Sequence, residues 1–223
     1  KINKMGLKIK NSKNIVTDGL IFHLDASDKL SYSGSGSTWV DRINNSNQTF
    51  SGPVFQSNNG GGITFDGTDD RLPVTFPTLP SNGGSIAVWI KKLDTTSNTF
   101  IFNKVGSTTN RFYIRIDGQN ISAVRGNPLS SASFGSSELG AYNYLTMTWD
   151  SSELYAYKNA VMNSSSEYTN PNTDITNGYF GANSSGFGNY GNFTLASTKI
   201  YNKTLSAAEV LQNYNATKSR FGL

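Results

Sequence analysis

The stretch whose reading decides the fold is Asn192–Tyr214, NFTLASTKIYNKTLSAAEVLQNY. Phe193, Leu195, Ala196, Ile200 and Tyr201 supply aromatic, aliphatic and β-branched side chains, and turn residues Asn202 and Lys203 follow, so its first half reads as a strand running into a turn. Ser206 and Glu209 then stand three apart before an apolar run. That is a capping box: the serine hydroxyl accepts an orphan N–H of the first turn, and the glutamate reaches back to the cap N–H. Ala207, Val210, Leu211 and Tyr214 follow at i, i+3, i+4 and i+7, which predicts one apolar stripe on about two turns of helix. So short a helix does not hold itself together in water, so it is expected to dock on a sheet.

Composition agrees with a strand-rich chain. At 223 residues, with 36% hydrophobic and 15% charged side chains, both fractions are low, and Asn, Ser, Thr and 22 Gly make up the difference. Such a chain has many turns and polar strand faces around a core of few large residues, for which 3 Trp, 11 Tyr and 13 Phe suffice. Length admits two small domains, but all-β sandwiches of this size are commonly one. The net charge of +4 is local. Lys1, Lys4, Lys8, Lys10 and Lys13 stand in a segment without an acid; removing those five leaves 14 basic against 15 acidic residues, or −1. The basicity therefore belongs to an N-terminal arm, residues 1–17, and not to a folded groove for nucleic acid. The arm is either a solvated leader or a strap for an acidic partner surface. With no cysteine, disulfide scaffolds, thiolate zinc sites and cysteine nucleophiles are excluded. No apolar run approaches a membrane span, and residues 1–17 lack a signal-peptide core. The opening Lys1 is read as the start of a processed or trimmed product, with Met5 an alternative natural start.

Further strands follow from period-two patterns: Gly19–Asp25, Val54–Phe55, Ile63–Asp66, and Leu72–Phe76 at an edge marked by Pro73 and Pro77. Ser85–Lys91 is apolar on both faces, as a central strand would be. Thr99–Asn103 and Arg111–Asp117 come next, and Asp117-Gly118 predicts a hairpin into Ile121–Val124. Tyr142–Asp150 places Leu145, Met147 and Trp149 opposite Tyr144, Thr146 and Thr148, and Leu154–Lys158 continues it. Residues 163–177 read as loop, Gly178–Ala182 as strand, and Ser184–Asn192 as a Gly/Asn-rich loop. About a dozen short strands with turn signals between them predict one antiparallel sandwich over residues 18–223.

Several segments also resemble a known family. GLIFHLDAS at Gly19–Ser27, SYSGSGSTW at Ser31–Trp39, GGITFDGTDD at Gly61–Asp70 and SIAVWIK at Ser85–Lys91 resemble the laminin-G-like members of the concanavalin A-like lectin/glucanase superfamily. NYLTMTWDSSELYAYKNA at Asn143–Ala160 is similar to its Trp-bearing hairpin. The ending KIYNKTLSAAEVLQNYNATKSRFGL, Lys199–Leu223, is most similar to the form found in tailed-bacteriophage virion proteins. The resemblance implies an all-β, concanavalin A-like jelly-roll sandwich of two antiparallel sheets with one short C-terminal helix. Two positions depart from the pattern: Tyr157-Lys158-Asn159-Ala160 stands where the family has Tyr-x-Asn-Gly, and TLASTKIYN lacks the family's glycine in Gly-Lys-Ile.

Fold alone does not fix function in this superfamily, which holds lectins, hydrolases and structural modules. Its hydrolases carry acids clustered on one strand in Glu-x-Asp-x-Glu-like spacing, for a reaction that needs two carboxylates flanking the scissile bond. None of Glu138, Glu153, Glu167 and Glu209 stands in that spacing, and Glu209 is a cap residue. Asp66, Asp69 and Asp70 form the densest acid cluster, either ligands for Ca²⁺, a hard cation that wants six to eight oxygens, or an Asx-turn at Asp66-Gly67. His23, the only histidine, lies opposite Phe22 and Leu24 with no recognisable triad partner. No G-x-S-x-G elbow exists, and Gly34–Ser37 and Gly60–Gly62 lack the helix and lysine of a phosphate loop. Tyr32, Tyr179, Phe187 and Tyr190 sit in or beside Gly/Asn/Ser loops, where rings with flanking amides suit glycan stacking, or else plug the sandwich ends.

The expectation is a non-enzymatic virion surface protein that binds other virion proteins, as a capsid decoration, head-fibre or tail component, using the Lys-rich arm. The alternative is a carbohydrate-binding adhesin on the same fold. No cofactor, nucleic acid or membrane partner is expected, Ca²⁺ is the one metal weighed, and a homo-oligomer is compatible with either reading.

Overall fold

The computed structural model describes residues 14–104, 111–126, 129–167, 175–183 and 188–223. The first sheet contains β1 (Leu20–Asp25), β4 (Val54–Gln56), β5 (Gly62–Asp66), β7 (Gly84–Lys92), β12 (Tyr142–Trp149), β13 (Glu153–Lys158), β14 (Val161–Glu167) and β16 (Asn192–Tyr201). It runs β14-β13-β12-β7-β16-β5-β4, with β1 also on β16. The second contains β6 (Leu72–Leu79), β8 (Thr99–Lys104), β9 (Arg111–Asp117), β10 (Asn120–Gly126), β11 (Ser130–Ser136) and β15 (Ile175–Phe180), in the order β11-β10-β9-β8-β15-β6. A small ribbon pairs β2 (Thr38–Val40) with β3 (Asn47–Thr49). Every pairing is antiparallel. The protein is an all-β jelly-roll sandwich with one short C-terminal helix, α1 (Ala207–Thr217).

Strand β16 joins the first sheet together. One side pairs along its length with β7; on the other, Asn192–Leu195 pairs with β5 and Ser197–Tyr201 with β1. The handover falls at Ala196, where the register with β7 shifts and the Ala196 carbonyl accepts the Ala26 N–H at 3.0 Å. A bulge of this kind bends a strand and changes its partner without breaking it. Phe193, Leu195 and Ile200 point into the inter-sheet core with Phe22, Leu24, Ile86, Val88, Met147 and Trp149. From the opposite sheet come Phe102, Phe112, Ile114, Ile116 and Phe134. At the family's glycine position stands Thr198, which pairs with Leu24, is fully buried, and has a hydroxyl without a hydrogen-bond partner. Lys92, also fully buried, bridges the two sheets: its Nζ donates to the carbonyls of Gly118 and Gln119 in the β9–β10 turn.

The capping box forms as expected. Glu209 N donates to Ser206 Oγ at 3.3 Å, and Ser206 N to Glu209 Oε2 at 2.9 Å. The helix runs three turns instead of two, and its buried face is not the predicted stripe. Ala207 is exposed and Leu211 is 48% exposed, while Val210 and Asn213 are buried and Tyr214 and Thr217 half-buried. The stripe is turned because the helix packs around a polar anchor. Asn213 accepts the Val16 N–H at 2.8 Å through Oδ1 and donates through Nδ2 to Tyr201 Oη, which itself donates to the Val16 carbonyl. Val16, Ala87, Trp89, Tyr144, Ala196, Tyr201 and Val210 thus form a second core outside the first sheet. Residues 14–17, assigned to the arm on sequence, lie in this folded part: Val16 is buried and Gln212 donates to the Asn14 carbonyl.

One further expectation is corrected. Of the loop read at 163–177, residues 163–167 belong to strand Val161–Glu167 and 175–177 to strand Ile175–Phe180, while 168–174 lie outside the described residues. The missed strands β11 (SSASFGS) and β14 (VMNSSSE) close one side of the sandwich through side chains: Ser133 N donates to Ser164 Oγ, and Asn163 Nδ2 to the Ser133 carbonyl. The Asn159-Ala160 turn keeps a left-handed conformation at both residues, φ 52° and 66°, although Ala stands where the family has Gly.

Candidate functional site

The outer face of the six-stranded sheet carries the candidate site. Register places one residue from each strand in a row across it: Pro73 (β6), Tyr179 (β15), Asn103 (β8), Tyr113 (β9), Val124 (β10) and Ser131 (β11). Alternation explains why these point outward, since Leu72, Phe180, Phe102, Phe112 and Ala123 beside them fill the core. A second row holds Phe100, Arg115, Ser122 and Ser133.

The centre of this face is close-packed. Phe100, Tyr113 and Val124 form a small cluster, the two rings edge-to-face at 5.2 Å. The Arg115 guanidinium lies 5.7 Å from the Tyr113 ring centroid and donates to Asn98 Oδ1 and Asp117 Oδ2. Around this floor, Tyr179, Arg115 and Ser122 are half-exposed and Pro73, Arg111 and Ser131 exposed. Asn103 Nδ2 donates to Asn183 Oδ1 at 3.4 Å, and the Asn189 carbonyl accepts the Phe100 N–H, which brings the half-exposed Tyr190 to the same end. A half-exposed tyrosine beside paired amides can stack on a pyranose face and exchange hydrogen bonds with its hydroxyls.

Of the four aromatic residues singled out in the sequence, Tyr179 and Tyr190 thus lie on or beside this face. Tyr32 does not. It is 2% exposed, packed on Trp39, Phe50 and Phe55, with its hydroxyl donating to the Gly36 carbonyl, so its ring is closed to a sugar. Phe187 lies outside the described residues.

Asp66, Asp69 and Asp70 come together as predicted, with one carboxylate oxygen of each within 4.8 Å of the others. Their hydrogen bonds are those of a turn: Thr68 N donates to Asp66 Oδ1 and Asp66 N to Asp70 Oδ2. Burial raises the Asp70 carboxyl above its ordinary range, and Asp66 and Asp69 add to this. Three carboxylates give a hard cation only part of its six to eight oxygens, so the set fits Ca²⁺ only with ligands beyond these.

His23 lies on the outer face of the first sheet beside its register partner Lys199, with Nε2 buried and unpartnered. Burial first, and then Lys199, hold its pKa down to about 3, so it is neutral at ordinary pH. Burial likewise brings the Lys199 amine down to about 8. Asp25 is held below the usual carboxylate range: burial opposes this, and Arg220, Lys199 and the Ser27 hydrogen bonds outweigh it. Arg220 donates to Asp25 Oδ1 at 2.7 Å and to the carbonyls of Asn59 and Gly61, fastening the C-terminal turn over β1. This cluster has the form of a structural clasp, with no hydroxyl hydrogen-bonded to His23 Nε2 among the described residues.

One carboxylate pairing lay beyond sequence spacing. Glu153 and Glu167 are register partners at the end of the β13–β14 hairpin, and the Tyr155 hydroxyl donates to Glu153 and Asp150. Burial and these two acids push the Tyr155 phenol up to about 12. Glu167 is exposed, on the outermost strand of its sheet.

The family described as the concanavalin A-like lectin/glucanases superfamily matches residues 65–211, well over half of the chain. The chain belongs to that superfamily. Among solved structures, domain 4 of AbnA, a GH43 extracellular arabinanase from Geobacillus stearothermophilus in complex with arabinotriose, superposes with a TM-score of 0.70 and 17% identity, over 87% of this chain and 98% of that one. The receptor binding domain of botulinum neurotoxin C/D mosaic serotype gives 0.71 and 15%, over 89% and 51%. The Trypanosoma rangeli sialidase in complex with sialic acid gives 0.71 and 16%, over 92% and 34%. This superfamily member thus spans about half of the neurotoxin domain and a third of the sialidase, and at such identities the likeness is one of fold. A search of characterised proteins finds no matching sequence. No helix among the described residues is long and apolar enough to cross a membrane.

Proposed function

We propose that the chain is a non-catalytic binding module that takes carbohydrate on the outer face of the six-stranded sheet. The observation that carries this reading is the row Tyr179–Asn103–Tyr113, which sets half-exposed and buried rings about amides on a rigid sheet. Support comes from domain 4 of AbnA, which shares this fold over 98% of its length and was solved with arabinotriose. The acids argue for binding over hydrolysis: Glu209 is engaged in its cap, and Glu153 and Glu167 sit at a hairpin end on the sheet margin. A glycan array followed by titration calorimetry tests the reading. Tyr179→Ala and Tyr190→Ala are each expected to weaken the best ligand about tenfold, the worth of one stacking contact, at unchanged thermal stability. Binding that survives both substitutions would place the ligand elsewhere. Turnover of a β-glucan that stops with Glu153→Gln would replace binding by hydrolysis.

A second reading places the module on the surface of a tailed-phage particle, docked on other virion proteins. It rests on the likeness of the Lys199–Leu223 ending to such proteins and on five lysines without an acid in residues 1–13. The packing of Val16 determines how to test it. Deletion must stop at residue 13, because removing 14–17 would strip the second core. Full loading of that truncated chain onto particles would exclude docking through the lysines.

A further inference from the structure

Asn-Gly pairs occur three times in the chain: Asn59-Gly60, Asn82-Gly83 and Asn177-Gly178. In such a pair the glycine lacks a Cβ, so its backbone nitrogen can approach the asparagine side-chain carbonyl carbon. The fold treats the three differently. Asn177 and Gly178 lie within β15, paired with Thr75 and Val74, and Gly178 faces the Phe102 ring, so the backbone is extended and held. Asn59 is clamped by Arg220: its carbonyl accepts Arg220 Nε at 2.6 Å, and its Nδ2 donates to the Arg220 carbonyl. Asn82 is exposed in the tight turn between β6 and β7 and, unlike the equally exposed Asn59, has no hydrogen bond from its side chain or from the Gly83 N–H among the described residues.

The turn around it is pinned. The Pro80 carbonyl accepts Trp149 Nε1 at 3.3 Å, and the Ser81 carbonyl accepts an Arg125 N–H. Two residues further on, Gly84 packs so closely on the Trp149 ring that a Cβ there would collide with it. Both flanks of Asn82 are thus tied to the same tryptophan, while the Asn82 side chain and the Gly83 N–H make no hydrogen bond among the described residues.

We propose that Asn82-Gly83 is a site of spontaneous succinimide formation and deamidation, and that the isoaspartyl product loosens the β6–β7 turn. Gly83 N attacks Asn82 Cγ and forms the new C–N bond. The Cγ–Nδ2 bond breaks, and ammonia leaves with the proton from Gly83 N. Water then opens the five-membered ring at either carbonyl, to aspartate or to isoaspartate. The isoaspartyl linkage adds a methylene to the main chain between two anchors that leave no slack, and both products add a carboxylate.

The test is ageing of the folded protein at neutral and mildly alkaline pH, with tryptic peptides read by mass spectrometry. Leu72–Lys91 contains no asparagine besides Asn82, so its mass gain reports this site alone. The gain is expected at least about tenfold faster at Asn82 than at Asn59 or Asn177, a barrier difference of about 1.4 kcal/mol, and the three rates should converge in concentrated urea. Aged protein should melt about 3 °C lower, with Asn82→Gln protected and Asn82→Asp, which adds charge without lengthening the chain, shifted less. Equal rates at the three sites in the folded protein would overturn the selection by structure. Deamidation at Asn82 with an unchanged melting temperature would overturn the loosening.

Discussion

On the eight-stranded sheet, the outward residues Ala87, Trp89, Tyr144 and Tyr201 lie beneath α1, with Trp89 stacked on Phe221 at 4.2 Å and its Nε1 donating to Thr217. On the six-stranded sheet, the outward residues Phe100, Tyr113 and Val124 form a small cluster rimmed by a half-exposed tyrosine and an arginine. Both faces follow the same two-residue alternation and both carry rings. What separates them is the chain's last segment, which is spent on covering one face. The comparison shows that exposed aromatics must be judged by what the last segment does: the rings under the helix hold the fold together, and those across the sandwich are left uncovered by it.

The difference can be broken most forcefully at Trp89. Trp89→Ala removes the stacks with Phe221 and Tyr214 and the bond to Thr217, and should cost about 4 kcal/mol in urea unfolding. Tyr113→Ala on the other face should cost about 2 kcal/mol, since its ring loses one edge-to-face partner and the Arg115 contact. Equal losses would mean that the two faces bear the fold alike. Next in size, Asn213→Ala leaves the buried Val16 N–H without an acceptor and should cost about 3 kcal/mol, with hydrogen exchange accelerated first at Val16.

A pH titration sharpens the same contrast. His23 has an ordinary pKa of 6.5 and is held to about 3 by burial and by Lys199, with Asp25, Asp28 and Arg42 also acting on it. Between those values the unfolded chain binds a proton that the folded chain does not. Stability is therefore expected to fall by a few kcal/mol as pH drops from about 6.5 toward 3, and His23→Gln should flatten the slope. Asp25 acts in the same direction, since its depressed pKa gives stability that is lost on acidification. At the alkaline end, Lys199 at about 8 against an ordinary 10.5 predicts stability rising with pH through that interval. A slope unchanged in His23→Gln would move the acid sensitivity away from the clasp. The smallest expected effect lies at Ala160, where φ is 66°: Ala160→Gly should raise stability by somewhat under about 1 kcal/mol, read as a higher urea midpoint.

Much of the fold was legible because particular strands carry their burial in their composition. Ser85–Lys91 has apolar residues on both faces and is indeed the strand between β12 and β16, and Pro73 and Pro77 do mark an edge. Ser206 and Glu209 announced the helix start because a cap is a local interaction. The misses share a physical cause. Strand β14 buries none of its residues and β11 only Ala132 and Phe134, and the two are joined by Ser and Asn side chains, so their sequences look like turns. The buried Asn213 interrupts the apolar stripe because its partners, Val16 and Tyr201, come from elsewhere in the chain. Tyr32 looked like a loop residue until Trp39, Phe50 and Phe55 closed on it. The candidate face was half legible: Tyr179 and Tyr190 could be picked as rings beside amides, but Asn103 and Tyr113 join them only through strand register.

The anchoring of Val16 beneath the helix and of Arg220 on Asp25 sets both visible ends of the chain on the back of the molecule. The outer face of the six-stranded sheet lies on the far side of the sandwich from both anchors, like the dial of a wall clock from its hook, so whatever is held at Val16 or Arg220 stands behind it.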